Sequence, residues 1–126
     1  MARILVVEDS PIEAHQLVNL LAEHGHQVLT AATGSEGLEI ARTEQPDVIL
    51  MDVVLPGING FQATRQITRA PQTKHIPVII VSSKTQPADI VWGERQGAKG
   101  YLTKPVAPKQ LISAVNGVLP QAGEHV

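Results

Sequence analysis

Short runs of Val, Ile, Leu and Met recur along the chain, separated by longer stretches that are richer in polar residues. Most of these runs do not alternate between apolar and polar residues, a pattern typical of strands buried on both faces of a parallel sheet. The pattern predicts five strands, of which the last is the least apolar. They are Ile4 to Val7, Val28 to Ala32, Val48 to Met51, Val78 to Val81 and Gly100 to Thr103.

The stretches between the predicted strands show helical periodicity and residues typical of helix ends. Ser10 is a suitable N-cap, Pro11 follows at the first helical position, and Gly25 provides a C-terminal stop. Pro46 ends the second helix before the third strand. We predict helices from Pro11 to the stop at Gly25, from Thr33 to about Glu44, from Asn59 to about Arg69, from Pro87 to Gln96, and from Pro108 to Leu119.

The regular alternation of strands and helices determines the fold class. With short loops and right-handed crossovers, it predicts an α/β fold in which a doubly wound parallel sheet lies between two helical layers. A chain of 126 residues fits one such domain, and we expect no room for a second output domain. We assign residues 1–120 to the domain and residues 121–126 to a short C-terminal tail.

Composition narrows the classes of partner. A formal net charge of -2 argues against direct binding to nucleic acid, which usually needs a basic surface. Without cysteine, the chain has no disulfide, thiol nucleophile or Cys-ligated zinc site. No apolar run approaches the roughly 20 residues of a membrane span, and no cleavable signal follows Met1. We therefore expect a cytoplasmic protein that does not insert into membranes.

Acidic residues follow two of the predicted strands. Glu8 and Asp9 end the first strand and Asp52 ends the third, so their carboxylates converge if these strands are near neighbours. Two like charges about 4 Å apart in an effective dielectric of about 20 repel by about 4 kcal/mol, so a cation must offset such a cluster. Lys104 brings one positive charge to the same edge. Carboxylate and carbonyl oxygens with room for a phosphate suit Mg2+ well and zinc poorly.

Each of these residues also has a less specific interpretation. A single Asp at a strand end is usually solvated or caps the next helix, and Tyr101 by itself is typical of a half-buried strand aromatic. The joint pattern is more informative, because a hydroxyl, Ser82, follows the fourth strand and Lys104-Pro105 follows the fifth. Four independent coincidences on one predicted edge favour a functional site.

The residues of this predicted site lie in four motifs: V-V-E-D-S at 6–10, M-D-V-V-L-P-G-I-N-G at 51–60, V-I-I-V-S-S at 78–83 and G-Y-L-T-K-P at 100–105. With these motifs the sequence resembles the receiver domain of two-component response regulators, of the stand-alone CheY-like kind, over residues 2–119. The resemblance implies a flavodoxin-like (βα)5 fold, a three-layer sandwich with strand order 2-1-3-4-5. It also implies phosphorylation by a sensor histidine kinase of the CheA-like kind.

The resemblance further implies a role for each acidic residue. Asp52 would be the phosphoacceptor, and Mg2+ would be held by Glu8, Asp9, Asp52 and the backbone carbonyl of Val54. The family more often has Asp where this chain has Glu8, although the longer side chain suits a water-mediated role. Such a domain is a phosphoacceptor switch that catalyses only its own phosphorylation and dephosphorylation.

The remaining residues with implied roles follow Asp52 or lie on the last two strands. Ser82 would hydrogen-bond to the phosphoryl group, Lys104 would pair with it, and Tyr101 would be the aromatic switch. Val54 and Lys84 would border the path of the attacking water and so tune hydrolysis. A downstream protein target would read the switch at the face formed by the fourth helix, the fifth strand and the fifth helix.

Among receivers, the segments F-Q-A-T-R-Q, V-W-G-E-R-Q-G-A and Y-L-T-K-P-V look like those of regulators of type IV pilus twitching motility or phototaxis. A phosphate sink or phosphorelay intermediate for a sister regulator is an alternative, as is a phosphate-independent interaction module. Two enzymes of similar architecture fit less well. Glu8 and Asp9 would repel the phosphate of FMN, and a phosphatase of the haloacid dehalogenase type would need Asp-x-Asp after the first strand.

Two further features have competing interpretations. No two of the five histidines stand four residues apart on a helix, so we interpret them as solvated surface residues rather than metal ligands. Trp92 is either part of the core or an exposed partner contact, and the crowded apolar sequence around it does not decide between them.

Overall fold

A five-stranded parallel sheet forms the centre of the molecule in the computed structural model, which describes residues 1–119. The strands are β1 (Arg3–Val7), β2 (Gln27–Ala31), β3 (Val48–Met51), β4 (Val78–Ser82) and β5 (Gly100–Thr103). They lie in the order β2-β1-β3-β4-β5, and all four neighbouring pairs are parallel. The predicted doubly wound flavodoxin-like sheet is therefore confirmed.

Five helices alternate with the strands. They are α1 (Pro11–Glu23), α2 (Gly34–Glu44), α3 (Gly60–Arg69), α4 (Pro87–Arg95) and α5 (Pro108–Val118). Ser10, the predicted N-cap of α1, accepts a hydrogen bond from the backbone N–H three residues later, and so do Thr33 and Asn59, the first residues of the next two predicted helices. Gly25 follows α1 with a φ of 84°, in the left-handed region that favours glycine. Within residues 1–119, every helix is too short or too polar to cross a membrane.

Alternate residues of β1 belong to two hydrophobic clusters, one on each face of the sheet. Leu5 and Val7 pack with buried residues of α2 and α3, including Ile67. Ile4 and Val6 pack with buried residues of α1 and α5. Because both faces of the strand are covered, its residues are apolar without alternation, as the sequence pattern predicts.

Element boundaries differ from the predicted ones by a residue or two. β1 begins at Arg3, and β2 ends before Ala32, whose N–H donates instead to the Glu36 carboxylate over 2.8 Å. β4 extends to Ser82, so this hydroxyl belongs to the strand and is buried. The predicted tail, residues 121–126, and the domain boundary at residue 120 lie outside the described residues.

The hydrogen bonding of the sheet continues one residue beyond the ends of β1 and β3. The Glu8 N–H donates to the Ala31 carbonyl over 2.9 Å, and the Asp52 N–H donates to the Val7 carbonyl over 3.0 Å. Since these bonds fix the backbone of both acids, their side chains leave the same edge of the sheet from defined positions.

Candidate functional site

Three carboxylates meet at the carboxyl end of the sheet. One oxygen from each of Glu8, Asp9 and Asp52 lies within 4.8 Å of the other two. Glu8 and Asp52 are buried, whereas Asp9 is exposed. The structure thus brings together the three acids that the sequence places after β1 and β3.

The Lys104 ammonium lies among these carboxylates. Its Nζ is 2.5 Å from Glu8 Oε1 and 3.2 Å from both Asp52 Oδ2 and Glu13 Oε1. Three carboxylates contact this ammonium, and Asp9 lies close to two of them, so a surplus of negative charge remains when all four are ionised. A donor set made only of oxygens, with one exposed member and surplus negative charge, fits a hard divalent cation such as Mg2+.

Burial and pairing shift the pKa values of two groups in the site. Burial raises the pKa of the Glu8 carboxyl, although hydrogen bonds from Lys104 and Ser10 oppose the change. Burial by itself lowers the pKa of the Lys104 ammonium. The hydrogen bond to Glu8 and the negative charge of Asp52 outweigh that effect, so the Lys104 pKa is raised. Lys104 is therefore charged at neutral pH and offsets part of the carboxylate repulsion.

Backbone and side-chain groups hold Asp52 in one orientation. The Val53 N–H donates to Asp52 Oδ1 over 2.7 Å, and Lys104 donates to Oδ2 over 3.2 Å. Gly60, the first residue of α3, packs directly behind it. A Cβ at Gly60 would lie 1.9 Å from the Asp52 carbonyl oxygen. Glycine therefore allows α3 to begin this close to Asp52.

The loop after β4 links Ser82 to Tyr101. The buried Ser82 Oγ accepts a hydrogen bond from the Lys84 N–H over 3.1 Å. The Tyr101 hydroxyl donates to the Lys84 carbonyl over 2.6 Å. The Tyr101 ring is half-buried beside Gly93, and this burial raises the pKa of its hydroxyl. Tyr101 is thus bonded to the segment that carries Ser82.

Val54 and Lys84, the two positions expected to tune hydrolysis, both have exposed side chains. Val54 exposes 58% of its surface in the loop between β3 and α3. The Val53 carbonyl accepts a hydrogen bond from the Gly60 N–H over 2.8 Å and is therefore engaged within this loop. The next carbonyl, that of Val54, is the one that the family resemblance assigns to the metal.

Sequence reasoning did not single out two residues of this site. One is Glu13, in the first turn of α1, whose side chain reaches Lys104. The Ser10 N–H, which Glu13 would bind in a complete capping box, donates instead to Glu8 Oε2 over 3.1 Å. The other is Gly60, which packs against the Asp52 carbonyl. A signal for Glu13 was available, since the first turn of α1 lies at the same edge as Asp9.

The interpretation of the histidines as solvated needs one correction. His15, His24 and His75 are exposed, but His26 is half-buried, and its Nδ1 accepts a hydrogen bond from the Ala2 N–H over 3.1 Å. Burial lowers the pKa of His26. This side chain therefore ties the end of α1 to the first strand, while His125 lies outside the described residues.

The exposure of Trp92 on α4 is inconsistent with core packing. Trp92 exposes 47% of its surface and its neighbour Val91 exposes 48%. Neither side chain is therefore part of the buried core.

Comparisons with known proteins agree with the fold and with the motifs. A family model described as the response regulator receiver domain matches residues 4–116. Protein PilH of Pseudomonas aeruginosa is 58% identical over 119 residues, which cover 94% of this chain and 98% of PilH. The transcriptional regulatory protein AfsQ1 of Streptomyces coelicolor is 38% identical, and the match covers 94% of this chain but 52% of that protein.

Solved structures give the same result. The chemotaxis protein CheY4 of Vibrio cholerae matches with a TM-score of 0.88 at 34% identity, covering 94% of this chain and 99% of that one. The receiver domain of the sensor histidine kinase PA1611 from Pseudomonas aeruginosa, solved with a magnesium ion in its active site cleft, matches at 0.85 and 28% identity. That match covers 92% of this chain and 95% of the other. In sequence, fold and acidic edge, this chain belongs to the family of response regulator receiver domains.

Proposed function

We propose that this protein is a phosphorylation switch in which Asp52 accepts a phosphoryl group from a histidine kinase. Receiver domains take phosphoryl groups from histidine kinases, and they bind Mg2+ at an acidic pocket. The observation that carries the proposal is the convergence of the Glu8, Asp9 and Asp52 carboxylates at the ends of β1 and β3, where Lys104 pairs with Glu8 and Asp52.

The transfer requires little covalent chemistry from the protein. An Asp52 carboxylate oxygen attacks the phosphorus of the donor phosphohistidine, so an O–P bond forms while the P–N bond breaks. The imidazole nitrogen keeps the bonding electron pair and takes up a proton. Phosphoryl transfer depends mainly on positioning and charge neutralisation, and the hydrogen bonds to both oxygens of Asp52 hold the nucleophile in place.

The residues that would hold Mg2+ are Glu8, Asp9, Asp52 and the Val54 carbonyl. When bound, the ion supplies positive charge that stabilises the equatorial oxygens of the transferring group. The exposed carboxylate of Asp9 leaves this side of the site open to solvent and to the donor. Lys104 provides a second positive charge on the other side, next to Asp52 Oδ2.

Phosphorylation would be transmitted through the loop after β4. The phosphoryl group adds negative charge and strong acceptor oxygens, so Ser82 Oγ turns to donate to it and Lys104 moves from Glu8 to pair with it. In this structure, before phosphorylation, Ser82 Oγ accepts a hydrogen bond from the Lys84 N–H, and the Tyr101 hydroxyl donates to the Lys84 carbonyl. Movement of Ser82 therefore shifts Lys84 and, through it, Tyr101.

Peptide mapping of the phosphorylated protein tests the acceptor assignment. After incubation with Mg2+ and a small phosphodonor, we expect the acyl phosphate on the peptide that contains Asp52 and on no other. Lys104→Ala should still accept some phosphate but should transmit it poorly to Tyr101. A phosphoryl group on Ser82, Ser83 or a histidine of the wild-type protein would contradict the assignment.

We further propose that the switch acts in a chemotaxis-like pathway that controls type IV pilus motility. Support comes from the 58% identity to PilH over nearly the full length of both chains. The kinase would be of the CheA-like kind, and the target would bind the face of α4, β5 and α5, where Val91 and Trp92 are exposed.

Complementation of a strain that lacks this gene tests the pathway. Wild-type protein should restore pilus-based movement, whereas Asp52→Asn should not, and Trp92→Ala should reduce movement without reducing phosphorylation. Full movement with Asp52→Asn would contradict a phosphorylation-dependent role. Full phosphorylation and movement with Trp92→Ala would exclude this residue as a target contact.

A further inference from the structure

A strongly basic pocket lies at the amino ends of the strands, opposite the carboxyl ends where Asp52 lies. It has a volume of about 330 Å³ and opens where α3 and α4 end and where β4 and β5 begin. Because parallel strands all begin at one edge and end at the other, this pocket is separate from the acidic site. The basic residues that line it are Arg69, Lys74, His75, Arg95 and Lys99.

The positive charge of this pocket is not balanced locally. No Asp or Glu lines it, and within residues 1–119 its four Lys and Arg side chains form no ion pairs. The C-termini of α3 and α4 contribute about -0.5 charge each, or about one negative charge in total. The helix dipoles therefore offset only part of the charge of the four Lys and Arg side chains, and roughly three positive charges remain. This excess stands out because the chain as a whole has a net charge of -2.

The walls of the pocket are held together by close contacts between the ends of α3 and α4. The Thr68 hydroxyl donates to the Gln96 carbonyl over 2.6 Å. Gly97 has a φ of 103°, and a Cβ there would lie 2.7 Å from the Thr68 hydroxyl oxygen. Ile76, which is buried, provides an apolar floor. The frame is thus preorganised, while the charged ends of the basic side chains face solvent.

We propose that this pocket binds a small polyanion that carries two or more phosphate or carboxylate groups. Its volume lies at the lower end of the range for small-molecule sites, roughly 300–1,000 Å³. Arginine presents a planar fork that matches the oxygens of phosphate and carboxylate, and lysine adds an unoriented positive charge. The basic residues are confined to one small pocket, which favours a compact ligand over a nucleic-acid strand, because a strand needs a continuous basic groove. This site does not depend on phosphorylation of Asp52.

Isothermal titration calorimetry of the full chain tests the proposal, with inorganic tripolyphosphate and citrate as probes. The buffer contains about 0.15 M salt, which screens charges beyond about 8 Å, and no Mg2+, so that the acidic site repels both probes. We expect saturable binding of one anion per protein. Arg95→Gln removes a charged hydrogen-bond donor and should weaken binding about tenfold, and Lys99→Gln should act in the same direction.

Lys109→Gln is the matched control, because Lys109 is an exposed residue of α5 outside this pocket and its loss changes the net charge equally. It should change the affinity less than about twofold, and thermal melting checks that each variant is folded. Binding of tripolyphosphate alone supports a phosphate ligand, and binding of both probes supports selection by charge. Failure of both probes to bind, or equal weakening by Arg95→Gln and Lys109→Gln, overturns the proposal. Binding of an oligoglutamate peptide or an oligonucleotide in place of both probes overturns it as well.

Discussion

Glu8 forms an ion pair with Lys104 and is also one of the residues that would bind Mg2+. Glu8 Oε1 is 2.5 Å from the Lys104 ammonium, and its Oε2 accepts the Ser10 N–H. A carboxylate engaged on both oxygens is less available to a metal ion. We therefore expect the ion pair of Glu8 with Lys104 to compete with metal binding at position 8.

Shortening this side chain should shift the balance. We expect Glu8→Asp to weaken the contact with Lys104 and to increase the affinity for Mg2+. If the Glu8–Lys104 ion pair is worth about 1 kcal/mol, its loss should lower the dissociation constant for Mg2+ roughly fivefold. Titration with Mg2+, followed by Trp92 fluorescence or by calorimetry, measures this dissociation constant. Glu39→Asp on α2 is the control, because Glu39 forms an ion pair with Arg42. Unchanged or weaker Mg2+ binding by Glu8→Asp would show that the ion pair does not compete with the metal.

The lifetime of phospho-Asp52 is a second property of individual residues. Val54 cannot orient or activate water, and the Lys84 ammonium can lie across the phosphoryl oxygens and shield them from in-line attack. We therefore expect both Val54→Asn and Lys84→Glu to speed the decay of phosphoprotein after the donor is removed. Phosphoprotein that decays at the wild-type rate in both variants would show that these side chains do not set the lifetime.

At the level of elements, the close approach of α3 to β3 depends on one glycine. Gly60→Ala would place a Cβ 1.9 Å from the Asp52 carbonyl, so the helix must shift. We expect a loss of about 3 kcal/mol or more in the free energy of unfolding, together with slower phosphorylation. Denaturant melts and phosphorylation rates of the same sample measure both effects.

Gly117→Ala is the matched substitution for this test. Gly117 lies within α5, and a Cβ there would meet nothing within 4 Å. Alanine at an open helical position should raise the free energy of unfolding by about 0.5–1 kcal/mol. Equal effects of the two substitutions would contradict the steric account of Gly60.

The elements themselves were predictable because their signals are local. Strand and helix positions follow from runs of apolar residues, and the caps at Ser10, Thr33 and Asn59 follow from one residue and its next turn. The contact of Glu13 with Lys104 joins residues far apart in the chain, so it can be anticipated only from the placement of α1 in the fold. The same holds for the packing of Gly60 against Asp52, which exists only after α3 docks on the sheet.

For the whole molecule, the acidic site affects stability as well as function. Asp9 has no ion pair among residues 1–119 and adds to the repulsion around Lys104. We expect Asp9→Ala to raise the melting temperature of the metal-free protein or leave it unchanged, and to abolish stabilisation by Mg2+. Wild-type protein should gain about 2.7 kcal/mol at an Mg2+ concentration one hundred times the dissociation constant. Equal stabilisation of Asp9→Ala by Mg2+ would show that the ion binds elsewhere.

The proposed function rests on Asp52 accepting a phosphoryl group in a reaction that needs Mg2+. The most direct test is the intact mass of the protein after incubation with a small phosphodonor, with and without Mg2+, for wild type and Asp52→Asn. We expect a mass gain of one phosphoryl group for wild type with Mg2+, and no gain for wild type without Mg2+ or for Asp52→Asn. The same gain in Asp52→Asn, or none in wild type with Mg2+, would contradict it.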